Sequence, residues 1–255
     1  MGKKVVKILW ITLLSLSYIS FTYSGAHGWV LSSVGTTLIL GFGFLAYREG
    51  FQEVLGIRMN WISLLFSLIL ALVFIVGTYF LMKYIGNKEG IMINPGNYKG
   101  YYHIFFYTLN EEIILGGVCI YILKVKWKIK PLQIAFGLAL FFACLHFIFY
   151  KWVFLFHTDL HIITLVTLFF VGVLRNLLIL KTGHIGYAWA LHFGWMVLMF
   201  GASHFYNSNN ERLTEPQLFD TYLGSYEMLG VSFVLMTFYF LIVRKSLVLS
   251  SLINS

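Results

Sequence analysis

Residues 105–117 read FFYTLNEEIILGG. Glu111 and Glu112 stand side by side within an apolar run from Tyr101 to Leu123. A charged side chain at the centre of a bilayer costs at least about 2.5 kcal/mol. The pair therefore either rules out a membrane span here or marks its working part.

Composition decides for the span. The chain has 255 residues, 59% hydrophobic, 19% aromatic and 11% charged, with a mean hydropathy of +0.82. Soluble domains carry about 25% charged residues. The expected class is all-α, a polytopic membrane protein, at about 20 residues per spanning helix. Eight spans are predicted, at 5–23, 29–47, 61–82, 101–123, 131–153, 160–180, 184–204 and 227–249. The segments are apolar all round, as spans are, and not two-faced like helices lying on a membrane surface. No repeat or low-complexity linker divides the chain, so residues 1–255 are expected to form a single integral membrane domain. The N-terminal MGKKVVKILWITLLSLSYISF begins like a signal peptide, but no A-x-A-type site follows, so it is read as a helix.

Charge sets the expected orientation. With the N-terminus inside, thirteen of the 18 Lys and Arg residues fall at inner ends, among them Lys3, Lys4, Lys7, Arg48, Arg58, Arg175 and the lysines of 124–130. Both termini are then cytoplasmic in a multi-pass protein of the cell membrane. The same bias accounts for most of the net charge of +8, and no basic domain is left to bind nucleic acid. Cys119 and Cys144 fall inside predicted spans and are read as buried structural thiols, with no disulfide framework or C-x-x-C motif.

Three predicted spans carry ionisable groups at depth. Glu111 and Glu112 lie about ten residues into the fourth, His146 in the fifth and His192 in the seventh. Such residues face the bundle interior or a water-filled cavity. Carboxylate and imidazole together can share a proton and activate a water, and a second imidazole can stabilise an oxyanion. Glu111, His146 and His192 could instead hold a divalent metal such as Zn²⁺, or the set could relay protons in a transporter. A transporter would show an inverted repeat, which is not evident. His103, His157, His161, His184 and His204 fall near span ends and are read as interfacial.

These residues resemble the motifs of the CAAX protease and bacteriocin-processing (CPBP, or Abi) family of intramembrane proteases. Glu111-Glu112 heads an E-E-x-x-x-R motif, Phe142 to His146 fits F-x-x-x-H, and His192 opens H-x-x-x-N. FQEVLGIR at 51–58 is similar to a softer feature of the family. The resemblance covers residues 101–204 firmly. It implies an eight-helix bundle with the active site inside the membrane and a glutamate-type, metal-free endopeptidase. Glu111 and His146 would activate water, His192 would bind the oxyanion and Glu112 would support the site. The substrate would be a membrane-associated peptide or protein, as in bacteriocin processing or self-immunity. No cofactor is implied. The sequence departs from the pattern twice: the motif Arg is Gly116 and the motif Asn is Met196. Those departures give the alternative of a non-proteolytic membrane scaffold or immunity protein of the same fold.

Overall fold

The computed structural model describes residues 28–94, 98–149, 161–201, 204–213, 217 and 219–253. These are mostly helical: α1 (Gly28–Tyr47), α2 (Trp61–Glu89), α3 (Tyr98–Glu111), α4 (Pro131–Phe149), α5 (Ile162–Thr182), α6 (Gly186–Met196) and α7 (Tyr226–Ile253). Helices occupy seven of the eight predicted positions. The first, 5–23, lies outside the described residues, as does His157. Four helical stretches are long and apolar enough to cross a membrane: Trp61–Glu89, Gly100–Lys126, Ile162–Thr182 and Tyr226–Lys245. The stretch with the glutamate pair is 67% buried and Trp61–Glu89 only 17%, so the charged helix is an interior one. From Trp61 to Phe80 the large exposed side chains of α2 are all apolar or aromatic, among them Leu65, Phe66, Ile69, Leu72 and Val73, as suits a lipid-facing surface.

Two features depart from regular α-structure. A two-stranded antiparallel sheet pairs β1 (Met92–Asn94) with β2 (His204–Tyr206), Ile93 opposite Phe205. The fourth predicted span is not one continuous α-helix. It changes at Glu112 to a π-helix, Glu112–Cys119, and again at Ile122–Lys126. Single π-turns inside α-helices are rare and concentrate at functional sites.

The chain divides into two compact units. The first comprises Met1–Thr78, Pro95–Ile122 and Gly183–Ser203, the second Tyr79–Asn94, Leu123–Thr182 and His204–Ser255. In the first, α1 and α3 are joined by buried polar contacts. Asn110 Nδ2 donates to the Ser32 carbonyl at 2.9 Å, and the Thr36 hydroxyl donates to Asn110 Oδ1 at 2.7 Å. In the second, α4 and α5 form an antiparallel pair. Asn176 Nδ2 donates to the Ala135 carbonyl at 3.0 Å, and Gly172 packs on Ala139.

Three readings are corrected. Arg175, counted among inner-end charges, is buried at 4% exposure within α5. It ends seven residues, or about 10 Å, short of the helix end. His184, read as interfacial, is buried, and its Nδ1 accepts from the Gly186 N–H at 3.2 Å. Cys144, read as buried, is exposed on α4, and Cys119 is half-buried. A thiol is apolar enough to sit on an outward helix face.

Candidate active site

The first unit holds Glu111, Glu112 and His192. Glu111 closes α3 and Glu112 opens the π-helix. Both are buried, at 3% and 0% exposure. His192 comes from α6, where Nδ1 lies 2.9 Å from Glu112 Oε1. An ionised carboxylate can only accept, so Nδ1 carries the proton and Nε2 becomes the basic nitrogen. Glu111 points elsewhere: its Oε1 is buried with no hydrogen-bond partner among the described residues. A buried acceptor without a donor is costly and uncommon. It is therefore a candidate for a group that a substrate or water completes.

The local chain explains why the two helices meet at this pair. The loop after the helical turn Phe51–Val54 buries Leu55 fully and turns at Gly56, whose φ of 68° favours glycine. The Gly56 carbonyl accepts from the Ile185 N–H at 2.8 Å, at the entry to α6. On its other side the loop backbone presses on the π-helix, where a Cβ on Gly117 would collide with the Leu55 carbonyl. One short loop thus fixes the glutamate helix and the histidine helix together. Further along the same two helices, Phe105 meets Trp189 edge-on at 5.1 Å, and Trp189 stacks on Phe193 at 5.2 Å.

Anchoring continues beside Glu111. Asn110 is fully buried and tied to α1 by the contacts given above. Ser32 Oγ also lies 2.8 Å from His103 Nδ1, so the half-buried His103 joins this polar seam.

His146 belongs to the second unit. It is buried at 5% exposure, and its Nδ1 lies 3.0 Å from the Phe142 carbonyl. A carbonyl can only accept, so Nδ1 is the donor and Nε2 is again the basic nitrogen. The His146 and Phe142 rings are 4.3 Å apart, and the Arg175 guanidinium lies 5.2 Å from the Phe142 ring centre. The F-x-x-x-H spacing therefore places a ring and a carbonyl one turn before the histidine. A cation over an aromatic face is stabilised there.

Arg175 is the residue that counting charges at span ends misses. Its flanks, VGVL before and NLLIL after, were signal enough that it lies inside a span. Neighbouring Asn176 is fully buried as well. The motif positions that lack Arg and Asn, Gly116 and Met196, are both buried in the first unit.

Among the described residues no group of three or more His, Cys, Asp or Glu side chains is placed to hold a metal ion. No protein-family model matches the chain, and neither does any curated protein or solved structure.

Proposed function

We propose that this chain is an intramembrane endopeptidase of the glutamate type, related to the CAAX protease and bacteriocin-processing family. It has eight spans, both termini on the cytoplasmic side and its active site within the membrane. The observation that carries this reading is the buried pair of carboxylates, one bonded to His192 and the other with an unmatched oxygen. A purely structural role leaves the second carboxylate unexplained, because burying an acceptor without a partner costs about 1–3 kcal/mol.

The chemistry follows from the roles. Glu111 accepts a proton from water as the water oxygen attacks the scissile carbonyl carbon. His146 assists this step and enters the reading through the second motif alone. The carbonyl oxygen becomes an oxyanion, which His192 stabilises through a proton carried on Nε2 while Glu112 holds the ring at Nδ1. Collapse breaks the C–N bond. Glu111 returns its proton to the leaving nitrogen, giving a carboxylic acid and an amine. The substrate is a membrane-associated peptide or protein, and lipid is the surrounding solvent.

The test is the initial cleavage rate on a panel of membrane-associated peptides in liposomes. Glu111→Gln is expected to abolish turnover, since an amide cannot take the proton. His146→Ala is expected to be comparably severe, and the two losses are not additive because the groups act as a unit. Turnover by Glu111→Gln at the wild-type rate refutes the assigned base.

Gly116 and Met196 favour a second reading, a non-proteolytic scaffold or immunity protein of the same fold. It binds a peptide or partner in the membrane without cutting it. A wild type that cleaves nothing, together with a Glu111→Gln variant that still supports the cellular phenotype, selects this reading.

A further inference from the structure

The second unit is electrically polarised from end to end. Four lysines, Lys124, Lys126, Lys128 and Lys130, alternate along the turn that leads into α4, and all four are exposed. None has a carboxylate partner among the described residues. The Ile129 N–H donates to the Leu123 carbonyl at 2.9 Å and closes this turn, while Lys128 takes a φ of 53°. Trp127 projects from the middle of it at 67% exposure.

Helix directions bring more cations to the same end. Asn176 meets Ala135 and Gly172 meets Ala139, so α5 runs antiparallel to α4 and its Lys181 lies at the α4 N-terminus. Phe233 of α7 meets Phe170 of α5 at 5.3 Å, and Phe240 meets Phe136 near the start of α4 at 6.1 Å. Helix α7 therefore runs toward that end too, and exposed Arg244 and Lys245 follow Phe240 by about one turn. The acids lie at the other end. Glu227 opens α7 and pairs with Lys88 at 2.9 Å, Asp220 lies in the helical turn Phe219–Leu223 before α7, and Glu89 and Glu211 flank the strands. No Asp or Glu among the described residues of this unit lies at the basic end.

We propose that this basic end is a docking surface for the anionic headgroups of membrane phospholipids, with Trp127 inserted between them at the interface. Charge complementarity and position choose the occupant. The cations ring the ends of membrane-spanning helices, at the depth where phosphates lie. Tryptophan favours that layer because its ring is apolar and its N–H polar. Juxtamembrane lysines each strengthen attraction to anionic lipid by a factor of roughly five. A bias that only directs insertion requires no headgroup to be held afterwards, so the two roles separate experimentally.

The test uses the purified full-length chain in neutral detergent micelles, titrated with phosphatidylglycerol or phosphatidylcholine, and follows the unfolding temperature. Phosphatidylglycerol is expected to raise it and phosphatidylcholine to leave it lower. Lys124→Gln with Lys126→Gln is expected to weaken the phosphatidylglycerol dependence roughly 25-fold. Lys83→Gln with Lys88→Gln, at the acidic end, is expected to leave it unchanged. About 0.5 M NaCl is expected to abolish the response of the wild type, which needs no variant to fold. Equal response to both lipids, a response that survives the salt, equal loss in the two double variants, or the same shift from inorganic phosphate without lipid overturns the proposal.

Discussion

Glu112 Oε1 and His192 Nδ1 lie 2.9 Å apart, and the glutamate has no exposed surface. The pair joins the start of the π-helix to the middle of α6. Removing either side chain breaks this contact at a fully buried carboxylate, so Glu112→Ala and His192→Ala are each expected to cost about 1–3 kcal/mol of stability. The double variant should cost less than the sum, with a coupling of roughly 0.5–3 kcal/mol. Unfolding of all four species in one detergent measures it. Strict additivity breaks the assigned contact.

The Gly117 prediction tests the junction that sets this geometry. Gly117→Ala drives a methyl into the Leu55 carbonyl, and backbone is poorly able to give way. A loss of about 1–3 kcal/mol is expected, with lower activity because the π-helix must shift. Gly137→Ala in α4 is the control, since nothing lies within 4 Å of its added methyl. There, alanine should be neutral or stabilising by up to about 1 kcal/mol. Thermal shift of both variants decides it. Equal effects mean that the close approach is not what demands glycine at 117.

This junction also marks where the sequence stops being readable. Glu111 and Glu112 announce themselves because charge in an apolar run has few uses. His192 was a candidate for the same reason. Which glutamate takes His192 was not legible, because it depends on the phase of the helix. A change from α to π at Glu112 rotates everything after it. That change accompanies the contact of Gly117 with Leu55, which is backbone against backbone and leaves no side-chain pattern. FQEVLGIR accordingly stood only as a likeness, although its Leu55 and Gly56 hold the two helices together. Arg175 was misplaced for the opposite reason. Charge counting assigns every cation to a span end, whereas this one is stabilised within the helix layer by the ring of Phe142.

Asn110 gives a third prediction. Its amide satisfies the Ser32 carbonyl and the Thr36 hydroxyl, all buried. Asn110→Leu removes both contacts to α1 and leaves the Thr36 hydroxyl only its bond to the Ser32 carbonyl at 3.0 Å, so it should cost about 1–3 kcal/mol. The neighbouring Glu111 should lose its position as well, so turnover should fall more than folded yield does. Asn110→Leu combined with Thr36→Val removes both polar sides of one contact and should recover part of the stability. Rates normalised to folded protein separate the two effects. An Asn110→Leu variant with full stability and full turnover removes Asn110 from the anchoring role.

Met196→Asn distinguishes the two functional readings most directly. Met196 lies one helical turn after His192 and is 7% exposed. The motif that the sequence resembles places an amide at this position. Two effects oppose each other. Replacing a buried methionine by a smaller polar residue loses packing, so stability should fall by about 2 kcal/mol. An amide beside His192 adds a donor for the developing oxyanion, and one such donor is worth about 10²–10³ in rate. The rate term is larger than the fraction of folded protein lost, provided the wild type stays mostly folded at the assay temperature. A working protease should therefore show a lower unfolding temperature and a higher initial rate per folded molecule, with KM nearly unchanged because the donor acts on the transition state. A scaffold should show only the lower unfolding temperature. If Met196→Asn cleaves no faster while Glu111→Gln still abolishes cleavage, His192 does not face the oxyanion, and its role reduces to holding Glu112 in place.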